Sequence, residues 1–352
     1  MTATGRLPSE LELPFISIVM PVRNEEHFIA DTIGQLLQQD YPQELYEIIV
    51  ADGFSDDATR QIVADISKTN PLVRLLDNPG RRSSSGRNVG FKNGKGDIFL
   101  VVDGHCYIPD NVLLRNTVVC LEKSGADCLG RPQPLNPPGL SLFQQAVALA
   151  RGSRLGHSDE SLIFGNYEGF ASPVSNGATY LRHVFTKTGY VDETFDAAED
   201  VEFNYRVEQA GFSCYTSPSL TVCYYPREDF VRLFRQMVRY GMGRSNFIRK
   251  HPQALTLNQL LPACFVLGLL VLLVSSLLSV GTKIDMSISP VIMHFSAILV
   301  GIYFIVVLIE SFRITVASKW FNLVLLPGIF FTVHFGLGWG FLTQALGFAR
   351  RK

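Results

Sequence analysis

Between Leu260 and Val280 the chain carries no charged residue; the run reads LLPACFVLGLLVLLVSSLLSV. About 20 apolar residues in a helix match the thickness of the hydrocarbon layer. This run therefore predicts a transmembrane helix and rules out a wholly soluble fold. A second run, Val291 to Ile309, is nearly as apolar. A third, Phe321 to about Leu346, contains Pro327, His334 and several glycines. That third run is compatible with a span or with a broken, re-entrant segment. With three spans the Arg350-Arg351-Lys352 end lies outside, against the positive-inside tendency; with a re-entrant third run it lies inside.

The formal net charge of -1 over 352 residues hides a division. Only six Lys/Arg and two Asp/Glu follow Asn258, so the first 258 residues hold 25 bases against 30 acids. The division predicts an N-terminal tail (1–13), a soluble domain (14–226), an amphipathic basic interface helix or linker (227–258) and a membrane domain (259–352, with runs 260–280, 291–309 and 321–346). Without a basic field there is no reason to expect nucleic acid. The six cysteines show no metal or disulfide spacing. The chain opens MTATGRLPSELELP, with no apolar signal-peptide core, so the large first part is expected to stay cytoplasmic.

FISIVMP (15–21), YEIIVADG (46–53), LVRLLDN (72–78) and DIFLVVDG (97–104) read as buried strands. Helical patterns lie between them, through Ile29, Ile33, Leu36 and Leu37, then from about Ala58 to Ser67, then from Asn88 to Lys95. Alternation at this spacing predicts an α/β fold with a mainly parallel sheet and helices on both faces. Ligands of such sheets sit at the carboxyl ends of the strands. Glu25, Asp52 and Asp103 follow the first, second and fourth strands. No G-x-G-x-x-G follows the first strand and no P-loop pattern occurs, which argues against a dinucleotide dehydrogenase or P-loop enzyme. Strand-end carboxylates suggest instead a nucleotide whose diphosphate is held through a metal.

Pro21-Val22-Arg23-Asn24-Glu25, Val50-Ala51-Asp52-Gly53-Phe54-Ser55-Asp56-Asp57, Val102-Asp103-Gly104-His105, Ser175-Asn176-Gly177-Ala178 and Ala198-Glu199-Asp200-Val201-Glu202-Phe203-Asn204-Tyr205-Arg206 stand in that order. Together they resemble the motifs of family 2 inverting glycosyltransferases, over roughly residues 14 to 250. Asp-x-His in place of Asp-x-Asp, the SSSGRNVG stretch and the three-run tail look closest to the succinoglycan-type, ExoA-like members. The resemblance implies a GT-A-type (Rossmann-like) mixed sheet at 14–226, followed by C-terminal transmembrane helices.

Asp103 and His105 stand two apart at a strand end, so both side chains can face one side. A carboxylate and an imidazole suit Mn or Mg bridging a nucleotide diphosphate. The resemblance further implies a nucleotide-sugar site at Pro21, Glu25, Asp52, Arg87 and Asp103, with Asp52 accepting from the uracil ring, Glu25 near the nucleoside and Arg87 at the diphosphate. Asp56 and Asp57 read as helix caps, and Arg81 and Arg82 as a solvated basic loop. An inverting transfer needs one base for the acceptor hydroxyl; by resemblance this is Asp200, with Glu199 as the alternate.

From Asp229 to Arg249, Phe230, Leu233, Phe234, Met237 and Val238 form a helical stripe flanked by Arg232, Arg235 and Arg239. That is the pattern of a helix lying in the membrane interface. Gln236-x-x-Arg239-Tyr240 resembles the family's Q-x-x-R-W element, implying contact with the phosphate of a lipid-linked acceptor. The expected activity is transfer of a sugar, glucose by the ExoA-like resemblance, from a UDP-sugar to a polyprenyl-diphosphate-linked saccharide at the plasma (inner) membrane. Other expected partners are membrane lipids and further glycan-assembly membrane proteins. Alternatives are transfer to polyprenyl phosphate itself and a non-catalytic nucleotide-sugar-binding subunit.

Overall fold

A computed structural model describes residues 13–157, 162–281 and 289–347. The N-terminal tail, apart from Leu13, and the Arg350-Arg351-Lys352 end lie outside the described residues. The chain divides into two compact units, 1–139 with 159–225, and 140–158 with 226–352.

The first unit is built on β1 (Ile16–Val22), α1 (Ile29–Leu37), β2 (Tyr46–Asp52), α2 (Thr59–Thr69), β3 (Val73–Asp77), α3 (Ser83–Asn93) and β4 (Ile98–Val101). Its second half begins with β5 (Cys106–Tyr107), α4 (Leu113–Ser124) and β6 (Cys128–Gly130). Next in the chain comes α5 (Leu142–Arg151), which belongs to the other unit. The first unit then resumes with β7 (Gly169–Phe170), α6 (Pro173–Asn176), β8 (Gly177–Leu181), α7 (Arg182–Thr188), α8 (Glu199–Gln209), β9 (Cys214–Thr216) and β10 (Cys223–Tyr224).

The main sheet runs β3-β2-β1-β4-β8-β6-β9-β7, and β5 pairs with β10. The block β3-β2-β1-β4 is parallel, whereas β8 is antiparallel to both β4 and β6. Every residue of β1 and β2 is buried, as strands covered on both faces require. Ile16, Ile18, Met20 and Val22 join α1 and α4 in one core, while Val19 joins Phe91, Phe99, Val184, Phe203 and Val207 on the opposite face. The sequence reading of a mixed, mainly parallel sheet with helices on both faces holds. One boundary moves: α3 starts at Ser83, not Asn88, so Ser83–Ser85 form its first turn. Ser85 Oγ is held by Asn78 and Arg82, which lets serines start the helix.

The second unit contains α5, α9 (Phe230–Lys250), α10 (Leu257–Gly281), α11 (Ser289–Val316) and α12 (Asn322–Ala345). Parts of α10, α11 and α12 are long and apolar enough to cross a membrane. The third apolar run is one unbroken helix, with Pro327 in its second turn. Residues 140–158 leave the expected soluble domain for this unit because α5 buries Ala146, Val147 and Ala150 against Leu233, Met237, Leu326 and Phe330.

The stripe on α9 is divided. Leu233 and Met237 are buried against protein. Phe230, Val231 and Phe234 instead line an apolar groove with Phe331, Thr332 and Phe335 of α12. α9 and α12 lie side by side in the same direction: Gly328 faces Phe230, Gly336 faces Met237, Gly340 faces Val238, and Gln344 Nε2 donates to Asn246 Oδ1 at 2.6 Å. The contact is backbone to backbone. A Cβ on Gly340 would come within 2.0 Å of the Val238 carbonyl oxygen, and one on Gly241 within 2.1 Å of that of Leu337.

Candidate active site

In the first unit the candidate residues lie at the carboxyl ends of β1, β2 and β4, on α3 and at the start of α8. Among the described residues, four non-glycine residues have left-handed backbones: Asn24 (φ 59°), Phe54 (φ 55°), Arg81 (φ 59°) and Ala198 (φ 60°). Three of them follow β1, β2 and β3, and the fourth precedes α8. For residues other than Asn this conformation costs roughly 1–2 kcal/mol each, and such strain concentrates at functional sites.

At the end of β1, Glu25 Oε1 lies 2.9 Å from His105 Nδ1. Gly104 makes room for the pair, since a Cβ there would sit 2.9 Å from Glu25 Cγ. Asp103 and His105 supply two donors, and no cluster of three His, Cys, Asp or Glu groups occurs among the described residues. Two protein donors fit a divalent cation whose other positions are filled by diphosphate oxygens and water. A carboxylate on Nδ1 is also how a metal-binding imidazole is oriented when Nε2 is the ligand atom. Glu25 thus touches His105, one of the expected metal pair.

Asp52 is fully buried. Its carboxylate accepts from Ser55 Oγ at 2.6 Å and from Arg60 Nη1 at 3.1 Å. Arg60 also donates to Asp77 at 2.7 Å, so one guanidinium offsets the carboxylates that end β2 and β3. Asp57 accepts from the backbone N–H of Thr59 at 2.9 Å, consistent with a role at the start of α2. Arg81 is not simply solvated: its guanidinium lies over the exposed Phe54 ring, 5.5 Å from the centroid. Arg82 donates to the carbonyls of Glu193 and Thr194.

Arg87 is the hub. The α3 helix presses against β1 through two glycines: a Cβ on Gly90 would sit 2.2 Å from Val19 Cγ1, and one on Gly86 2.8 Å from Pro21 Cβ. This close approach fixes Arg87 between them, buried, with Nε 3.6 Å from Glu199 Oε1. Burial alone would lower its pKa, but the carboxylates of Glu199, Asp200 and Asp103 outweigh that and hold its proton more tightly than usual. Burial pushes the Glu199 carboxyl up, and Arg87 pulls it back. Asp200 is half-buried in the first turn of α8, where Oδ1 accepts from the Val201 N–H. Glu199 pairs with Arg87, and the charges of Asp200 and Asp103 act on the same guanidinium, across up to 113 positions of sequence.

Arg131 escaped the sequence reading. It is 2% exposed, with Nη2 donating to the Val101 carbonyl and the Tyr224 hydroxyl. It shares the electrostatic surroundings of Cys106 and Tyr224 with Asp103. No local pattern marks it; its partners come from other strands. Asn176 of the fourth motif is buried, donating to Thr216 Oγ1 at 2.9 Å and accepting the Arg131 N–H on its backbone oxygen. In the other unit, Gln236 Nε2 meets the Tyr240 hydroxyl at 3.4 Å and Arg239 is exposed.

Residues 17–145 match the family model described as glycosyl transferase family 2. The succinoglycan biosynthesis protein ExoA of Rhizobium meliloti is 33% identical over 247 residues, covering 70% of this chain and 73% of that protein. The chain belongs to glycosyl transferase family 2. It is a glycosyltransferase. Another relative, a dolichyl N-acetylglucosaminyl phosphate diacetamido-dideoxy-glucuronosyltransferase of Methanococcus voltae, is 26% identical over 333 residues, 93% of this chain and 96% of that one. Among solved structures, the mannosyltransferase PcManGT of Pyrobaculum calidifontis, in complex with GDP-Man and Mn2+, superposes with a TM-score of 0.57 at 15% identity, covering 96% of this chain and 89% of that one. That likeness supports the GT-A-type fold read from the motifs.

Proposed function

We propose that this glycosyltransferase inverts the anomeric centre while moving a hexose, glucose by the ExoA resemblance, from a UDP-sugar to a lipid-linked saccharide. The observation that carries the reading is buried Arg87, paired with Glu199 and under the charge of Asp200 and Asp103. Asp103 and His105 would hold a divalent cation, which when bound would offset charge on the departing diphosphate. Arg87 adds a second fixed positive charge beside it. Asp200, less enclosed than Glu199, takes the acceptor hydroxyl proton as that oxygen attacks from the face opposite the diphosphate. Glu199 stays paired with Arg87 and fixes its orientation. Asp52, Ser55 and Arg60 shape the floor of the base pocket, with Pro21 and Glu25 beside it.

Two relatives support a lipid-linked or polysaccharide acceptor. The Methanococcus voltae protein acts on a dolichyl-phosphate-linked sugar, by its name, and aligns through the apolar tail. ExoA serves succinoglycan biosynthesis, by its name. The apolar helices associate the chain with a membrane; we place that membrane at the cell surface, with the catalytic unit on its cytoplasmic side. UDP release from a panel of sugar nucleotides, with membranes and lipid extract supplied, tests the reading. Turnover that needs a divalent cation and stops on Asp200→Asn supports it. Wild-type turnover by Asp200→Asn removes Asp200 as the base, and absence of turnover with every donor removes the activity.

A further inference from the structure

Arg151 ends α5, inside the membrane unit. Its Nε is shut off from solvent and has no hydrogen-bond acceptor. Its Nη1 donates only to Met237 Sδ, at 3.5 Å, and a thioether is a weak acceptor. No carboxylate pairs with it among the described residues. Among the described residues, the Tyr240 hydroxyl is the group of favourable sign near it. Arg244 and His157 join the same neighbourhood, acting on one another across α9 and the turn after α5. On α9 the residues involved, Met237, Tyr240 and Arg244, are three and four apart and share one face. His334 of α12 also feels Arg151 and is itself engaged, through Nε2 with the Leu155 carbonyl and Nδ1 with the Tyr303 hydroxyl.

A guanidinium withdrawn from water without a counter-charge is costly. Other arginines offset that cost with carboxylates, although Arg131, with Nε and Nη1 buried and without acceptors, does not. Arg60 has two carboxylates, Arg206 grips Glu202, and Arg87 has Glu199. Arg151 instead concentrates positive charge with Arg244, and that charge, after burial, pushes His157 down to about 4, leaving a neutral imidazole. A forked guanidinium, a phenol and an imidazole are donors suited to phosphate oxygens.

We propose that Arg151, with Tyr240, His157 and Arg244, binds the phosphate or diphosphate group of the lipid-linked acceptor. The inference rests on the acceptor class proposed above and names the residues that hold its anionic group. It moves the weight of that contact from the exposed Arg239 to a residue on α5. Tyr240 is common to both readings.

The test uses the full chain in a neutral detergent with three probes: farnesyl diphosphate, inorganic diphosphate and phosphatidylglycerol. Farnesyl diphosphate is expected to bind the wild type by calorimetry, and Arg151→Met to weaken it by about 10- to 100-fold, the range of a charge-assisted bidentate contact. The same dependence for inorganic diphosphate supports a site that reads the anion without the lipid; for phosphatidylglycerol, it supports a bilayer headgroup as the source. Without probe, Arg151→Met should melt no lower than the wild type, because a cation with no carboxylate partner among the described residues has been removed. If it fails to fold, Arg244→Gln provides the same readout with a several-fold loss expected. Equal affinities of wild type and variant for all three probes overturn the inference, as does absence of binding by the wild type. Donor turnover run alongside separates the two readings: turnover without Arg151-dependent binding sinks only the anion site, whereas binding without turnover sinks the activity.

Discussion

The two units treat Arg87 and Arg151 oppositely. Arg87 has three carboxylates for company, Glu199, Asp200 and Asp103. Among the described residues Arg151 has none, only a phenol, a sulfur and further positive groups. A guanidinium among acids keeps its shape whether or not a ligand arrives, and it steadies the carboxylates that do chemistry. A guanidinium among bases gains most of its stabilisation from outside the chain. One arrangement is preorganised; the other is completed by what it binds.

That contrast can be broken at several points. The largest effect is expected from Asp200→Asn, which should lower turnover by about 10²–10⁴-fold while donor binding, read by calorimetry, persists. Next is Asp103→Ala: donor affinity should fall by at least tenfold, and its dependence on added Mn or Mg should disappear. Unchanged donor binding would remove the metal argument. Arg87→Gln leaves Glu199 buried without its partner and should destabilise the fold by about 3 kcal/mol. Adding Glu199→Gln should restore part of that loss, because the orphaned charge goes too; a double variant no more stable than Arg87→Gln would show that the pair is not coupled.

A smaller effect concerns pH. His157 is held below its ordinary value, at about 4 against 6.5. Between those values the unfolded chain binds the proton and the folded one does not, so stability falls as pH drops through this window and is level above it. His157→Asn should flatten the lower part of a melting-temperature profile, and saturating farnesyl diphosphate should do so in the wild type. If the His157→Asn profile superposes on that of the unliganded wild type, burial and the nearby arginines do not hold His157 neutral.

Much of the catalytic unit was legible because strands buried on both faces read as continuous apolar runs, and the short segments after them carried Glu25, Asp52 and Asp103. The Glu199-Asp200 helix start was equally local. What sequence did not disclose was long-range. Arg60 between Asp52 and Asp77, and Arg131 among the strands near Asp103, have partners from separate elements. The segment LFQQAVALAR looks like any short amphipathic helix, and nothing in it says that its apolar face meets α9 and α12. One signal was available: Gly86 and Gly90, four apart, mark where α3 meets β1 closely enough to set Arg87.

The glycine seam between α9 and α12 has a consequence for depth in the bilayer. α9 carries Arg232, Arg235, Arg239, Arg244, Arg249 and Lys250 and no acid, a composition that resists the hydrocarbon. α12, taken alone, is apolar enough to cross it. Yet Gly241, Gly336 and Gly340 bring their backbones into contact, so neither helix slides without the other. A buoyant helix is moored to one that must stay wet, and how deep either lies is decided by the pair.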